Sequence, residues 1–91
     1  MNYEWDESKR RSNLAVHELD FSQIAELDWE TAIELEDTRR DYGETRFMVL
    51  GLLGDRLTVV IYTVRRAAIR IISWRRANDR EQRFYESRIR N

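Results

Sequence analysis

Arginines interleaved with aromatic rings are the residues of this sequence best suited to chemistry. Of its 16 basic side chains only Lys9 is a lysine. The planar guanidinium binds phosphate or carboxylate through two parallel hydrogen bonds and stacks on rings. Phe47, Tyr62, Arg65, Arg66, Arg70, Trp74 and Arg75 crowd into the second half of the chain. On one open sheet face they would offer rings for bases and forks for phosphates. The other arrangement has Phe47 and Tyr62 beneath a C-terminal helix, with Arg70 only capping that small core. Lys9, Asn13 and His17 recur every four residues and share one helix face. A lone histidine there is more often a helix C-terminal cation or a hydrogen-bonded structural group than a base. Glu81 has the reach of a general base, but its place in a capping box with Asn78 accounts for it, and Tyr85 one turn later reads as packed. With one histidine and no cysteine, ligand spacing for a metal is missing and a zinc site is close to excluded. No metal or other cofactor is expected.

Those residues lie in a chain with strongly uneven charge. Residues 1–45 hold 13 acidic and 5 basic side chains, and residues 46–91 hold 4 acidic and 11 basic. The basic half suits nucleic acid or an acidic protein; equally, the two halves partly neutralise each other on folding. Ninety-one residues make one domain, burying roughly two-thirds of the unfolded surface, a thin margin that a partner could widen. The apolar runs near Phe47–Leu53 and Leu57–Val64 are too short to cross a bilayer as helices. The N-terminus has neither a basic leader nor an apolar stretch. A cytoplasmic protein with no membrane partner is expected.

The elements that must position the arginines follow from caps and periodicity. Asp6 can cap a helix over about Glu7–His17. Asp20 with Gln23 resembles a capping box opening a second helix over about Phe21–Trp29, with Phe21, Ile24 and Ala25 on one face. Residues 31–36 alternate as a half-exposed strand. Arg46–Leu53 and Leu57–Val64 are strands joined at Gly54-Asp55, a hairpin signal. Ala68–Trp74 is the last strand, and Asn78-x-x-Glu81 opens a helix over about Asp79–Arg90. The fold class expected is α+β: two N-terminal helices, a four-stranded antiparallel sheet and a C-terminal helix. A two-residue turn at Gly54-Asp55 pairs Leu53 with Arg56, Leu50 with Val59, Met48 with Ile61 and Phe47 with Tyr62. One face then carries Met48, Leu50, Leu52, Leu57, Val59 and Ile61 for the helices to cover. For the next hairpin, a turn at Arg65-Arg66 would bury Arg70 opposite Ile61, which is costly. A three-residue turn, Arg65–Ala67, sets Tyr62 opposite Arg70 and Thr58 opposite Trp74, aligning Phe47, Tyr62, Arg70 and Trp74 on the open face.

The chain resembles the BrnT family over nearly its whole length, 1–91, as a single toxin domain. The resembling segments are Trp5-Asp6-x-x-Lys9, Asn13-x-x-x-His17 and Asp41-Tyr42-Gly43-Glu44-x-Arg46-Phe47. Tyr62-Thr63-x-Arg65, Arg70-Ile71-Ile72-Ser73-x-Arg75, and Ala77 followed by Glu81 and Tyr85 continue the pattern. Glu18 and Arg66 stand where that family usually has glycine, the residue that takes positive φ cheaply, and Glu7 where it often has proline. The resemblance implies a RelE-like fold and a ribonuclease that halts translation. It also implies a BrnA-type antitoxin partner, through which alone promoter DNA is contacted. Without a metal, the chemistry is attack of the RNA 2′-oxygen on the adjacent phosphate, which needs a base, an acid and positive charge on the phosphorane. Arg70 is the choice for that charge. Arg65 assists it, Arg75 and Arg66 hold phosphate, and Phe47 and Trp74 stack bases. Tyr62 would shuttle protons, its pKa lowered by an arginine neighbour. The rival reading is a non-catalytic module whose arginine face binds an acidic protein or nucleic acid.

Overall fold

The computed structural model describes residues 2–90. Asn2–Trp5 forms β1, Glu7–His17 forms α1, and Phe21–Glu26 is a 3-10 helix. Asp28–Glu36, Phe47–Leu53, Arg56–Arg65 and Ala68–Arg76 form β2 to β5, and Asp79–Ile89 forms α2. The sheet has five strands in the order β1-β5-β4-β3-β2. β1 runs parallel to β5, and the other neighbours are antiparallel.

The four-stranded antiparallel sheet with two N-terminal helices is therefore corrected to a five-stranded mixed sheet with one N-terminal α-helix. β1 pairs Asn2 with Ala68 through to Trp5 with Ile71, a contact more than sixty residues away that leaves almost no local trace. The segment expected as a second α-helix is a 3-10 helix. Its buried residues Phe21, Ile24 and Leu27 are spaced by three, and side chains three apart eclipse on a 3-10 helix, whereas Ala25 is exposed. β2 also starts earlier than expected, at Asp28, with an irregularity between Asp28 and Ile33. Leu27 itself lies over Gly51: a Cβ at that glycine would stand 3.1 Å from the Leu27 side chain.

The β3–β4 hairpin has the register expected from its turn, with Leu53 opposite Arg56 and Phe47 opposite Tyr62. The β4–β5 hairpin does not. Its turn is the two residues Arg66-Ala67, both at positive φ (52° and 66°), the geometry whose twist suits a two-residue hairpin. Tyr62 faces Ile71, and Thr63 faces Arg70. A bulge follows, since Ile61 pairs with Ser73, Val60 with Trp74 and Val59 with Arg75. Strict alternation would send Ile71 and Trp74 to opposite faces, because they are three residues apart. The extra residue brings both into one core, where they are 1% and 0% exposed.

Two cores result. The face bearing Val49, Val60, Tyr62, Ile71 and Trp74 is covered by Leu19, Phe21, Ile24 and Leu27, with Tyr3, Trp5, Trp29 and Phe47 packed around it. It is the larger core, not the open face expected. The opposite face bears Leu50, Val59 and Ile61 under Tyr85, flanked by Phe84 and Ile72. α2 crosses it, anchored by the Asn78–Glu81 capping box and by the Tyr85 hydroxyl donating to the Thr31 carbonyl at 3.1 Å.

Candidate functional site

The sheet separates the rings from most of the arginines. Tyr62 is 7% exposed, stacked on Phe47 at 5.2 Å and met edge-on by Trp29 at 6.3 Å. Its hydroxyl donates to the Glu34 carboxylate. Burial first, and then that carboxylate, raise the phenol's pKa well above its ordinary value, the reverse of the lowering expected from an arginine neighbour. Trp74 is sealed in the same core. On the far face, Arg70 pairs with Thr63 across the ladder and lies 3.6 Å from Glu4. Arg75 makes two 2.8 Å hydrogen bonds to Glu81. Arg65 reaches Glu44 at 2.8 Å, and Arg66 stands exposed at the turn. The bulge is what sends Trp74 away from Arg70, so the stacking face with embedded arginines is not formed.

A different constellation is assembled beside α1. Asp6 caps that helix through the amides of Ser8 and Lys9. Asn13, its one buried residue, fastens it to the sheet. β1 pairs with β5 only as far as Ile71. Beyond it the Asn13 side chain takes the place of a strand, accepting from the Trp74 amide at 3.1 Å and donating to the Trp74 carbonyl at 2.7 Å. It also donates to the Leu19 carbonyl at 3.1 Å. Unmaking such buried bonds one-sidedly costs on the order of 1–3 kcal/mol.

With α1 held so, Lys9, Ser12, Asn13, Val16, His17 and Ile72 line a groove of about 300 Å³. A second hollow of about 340 Å³ is lined by Val16, His17, Glu18, Arg75 and Arg76. The two share Val16 and His17, so His17 stands at the junction, with Lys9 on one side and Arg75 and Arg76 on the other. Arg70 projects from the face of β5 that carries Ile72, the groove's floor. Glu81 is kept ionised: Arg75's hydrogen bonds, and the Asn78 amide after burial's opposing effect, hold its carboxyl below the usual value. Locked in that pair, it orients Arg75 rather than competing as a base. Among the described residues, no three His, Cys, Asp or Glu side chains come together as a metal site would need, and no helix is long and apolar enough to cross a membrane.

A cationic groove with a single imidazole at its centre suits an anionic polymer. Residues 5–81 match the family described as the ribonuclease toxin, BrnT, of type II toxin-antitoxin systems. The chain belongs to the BrnT family. Membership makes RNA the substrate and an antitoxin the partner of such a toxin. No curated protein matches the chain. At both positions where BrnT proteins were expected to carry glycine, the backbone keeps a glycine-like conformation without it: Glu18 has φ 60° and Arg66 φ 52°. Lys9 and His17 share a helix face by their spacing, whereas neither Arg76 nor the linking role of Asn13 has a comparable local signature. The four-residue spacing of Lys9, Asn13 and His17 was the available signal; what it lacked was the sheet edge that Asn13 meets.

Proposed function

We propose that this chain cleaves RNA as a metal-independent endoribonuclease acting as one domain in the cytoplasm, held in check by a BrnA-type antitoxin. Promoter DNA is met only through that antitoxin. The carrying observation is His17 at the junction of two adjoining hollows, one lined by Lys9 and the other by Arg75 and Arg76. In its neutral form His17 takes the proton of an RNA 2′-hydroxyl. The 2′-oxygen bonds to phosphorus, the bond from phosphorus to the 5′-oxygen breaks, and Lys9 supplies the proton to that leaving oxygen. Arg75, oriented by Glu81, and Arg70 hold the added charge on the phosphorane, the kind of contribution that is strongest when donors are fixed beforehand. The products are a 2′,3′-cyclic phosphate and a 5′-hydroxyl. The donor set supports metal independence, since it contains one histidine and no cysteine. The test is cleavage in chelator by the unaltered chain and by His17→Ala. Full cleavage with cyclic-phosphate ends, and a loss of roughly 10²–10⁴-fold in the variant, are expected. Loss of cleavage in chelator with recovery in magnesium refutes the metal-free route, and a fully active His17→Ala variant refutes the site.

A further inference from the structure

A second concavity lies on the α2 face, with Glu81 in its wall. It measures about 230 Å³ and is bounded by Leu35, Met48, Leu50, Arg80, Glu81 and Phe84. Leu35, Met48, Leu50 and Phe84 supply its apolar wall, and Leu35 is left 38% exposed. β2 is the edge strand of the sheet on this side.

The charge around this trough is positive. Arg80 is exposed and has no ion-pair partner among the described residues. The Arg88 guanidinium stands 5.5 Å over the Phe84 ring. Arg39 acts electrostatically on Glu81, but its own charge is taken up by Asp37 at 2.8 Å, so Arg80 and Arg88 carry the free charge. Glu34 and Glu36, the carboxylates that flank Leu35 in β2, do not offset them. Glu34 bonds Tyr62 on the other face, and Glu36, in register with Phe47, shares that face. Glu81 is occupied by Arg75.

We infer that the antitoxin docks here, seating an apolar side chain of an acidic segment between Leu35 and Phe84 while its carboxylates meet Arg80 and Arg88. The inference rests on the chain being a type II toxin with a protein partner. A nucleobase fits the trough less well than an aliphatic or aromatic side chain, because its polar edges would be desolvated against carbon without partners. Glu81 links the two concavities, forming a wall of the trough while gripping Arg75 in the RNA groove. A segment seated in the trough therefore lies against that pair and closes the approach to Arg75, which neutralises the toxin by obstruction.

The experiment uses the purified product of the adjoining reading frame as the probe. Its affinity is measured by calorimetry for the unaltered chain, Leu35→Glu and Arg80→Glu, and each chain's RNA cleavage is measured alone. Both substitutions are at exposed positions, and thermal melts confirm that the variants are folded. Each is expected to weaken binding at least about tenfold, as loss of an anchor or reversal of a rim charge does, with cleavage unchanged. Binding by both variants as tight as that of the unaltered chain overturns the surface. Cleavage lost with binding retained overturns it in favour of RNA in the trough. No binding by the unaltered chain overturns the partner and the surface together.

Discussion

Replacing Glu18 with glycine is expected to stabilise the protein. Glu18 ends α1 at φ 60° and ψ 24°, its amide donating to the Leu14 carbonyl. A side chain in this left-handed region costs roughly 1–2 kcal/mol, because Cβ crowds the following carbonyl oxygen. Glycine removes that cost but loses more backbone freedom on folding, about 0.5–1 kcal/mol. The variant also gives up the Glu18–Arg76 ion pair at 3.7 Å, whose side chains are 79% and 54% exposed, so that loss is at most a few tenths of a kcal/mol. The balance, at the middle of these ranges, is a gain of about 0.5 kcal/mol, or roughly 2–4 °C in Tm for a chain of this size. Urea denaturation and thermal melts of the two proteins side by side measure it. Arg66→Gly, in the turn where Arg66 and Ala67 both have positive φ, repeats the experiment at an independent site, and the two gains should add. A Glu18→Gly variant that melts lower than the parent would refute the reasoning, since it would mean that the left-handed backbone is not where the cost lies.

Tyr62→Phe should leave RNA cleavage unchanged, since the phenol is buried and its pKa is raised; a loss of cleavage beyond about tenfold would restore the proton-shuttle role. Ile71→Ala, at 1% exposure, should cost about 2–5 kcal/mol, while Arg70→Ala stays folded and loses cleavage; the reverse result in circular dichroism would overturn the observed register. Asp37 is held at about pKa 2 instead of its ordinary 3.8, mainly by the hydrogen bonds from Arg39. Because the folded value is the lower one, its stabilisation is full above pH 4 and fades as pH falls toward 2; solvent around the exposed Arg39 limits it to on the order of 1 kcal/mol. Asp37→Asn should flatten that acid limb in stability measurements, and an unchanged limb would place the sensitivity elsewhere.

What the sequence disclosed was what local rules decide. Gly54-Asp55 between two apolar runs set the β3–β4 pairing residue by residue, and Asp6 and the Asn78–Glu81 box marked both α-helix starts. The failures were tertiary. β1 is four residues whose partner lies at the other end of the chain, so only the alternation of Tyr3 and Trp5 hinted at it. The β4–β5 register rested on keeping Arg70 out of an apolar face by choosing a longer turn. The protein instead leaves Arg70 on that face, beside Glu4, and inserts a bulge at Ile72-Ser73. That single extra residue relocated Trp74, and with it the expected site. The groove was half legible, since Lys9 and His17 share a helix face by spacing alone. That they meet Arg75 and Arg76 depends on which edge of the sheet α1 borders.

The border made by Asn13 also has a consequence for how the protein fails. A sheet edge closed by a side chain is only as durable as the helix that carries it, and α1 is 11 residues long, too short to persist on its own in water. When α1 lifts, the Trp74 amide and carbonyl lose their cover together, and the end of β5 becomes a bare template to which a strand from another molecule can add. Fraying of one helix and the first step of self-association are then a single event. On warming, this chain should begin to clump while most of its sheet is still intact, and the carboxamide of one asparagine sets how soon.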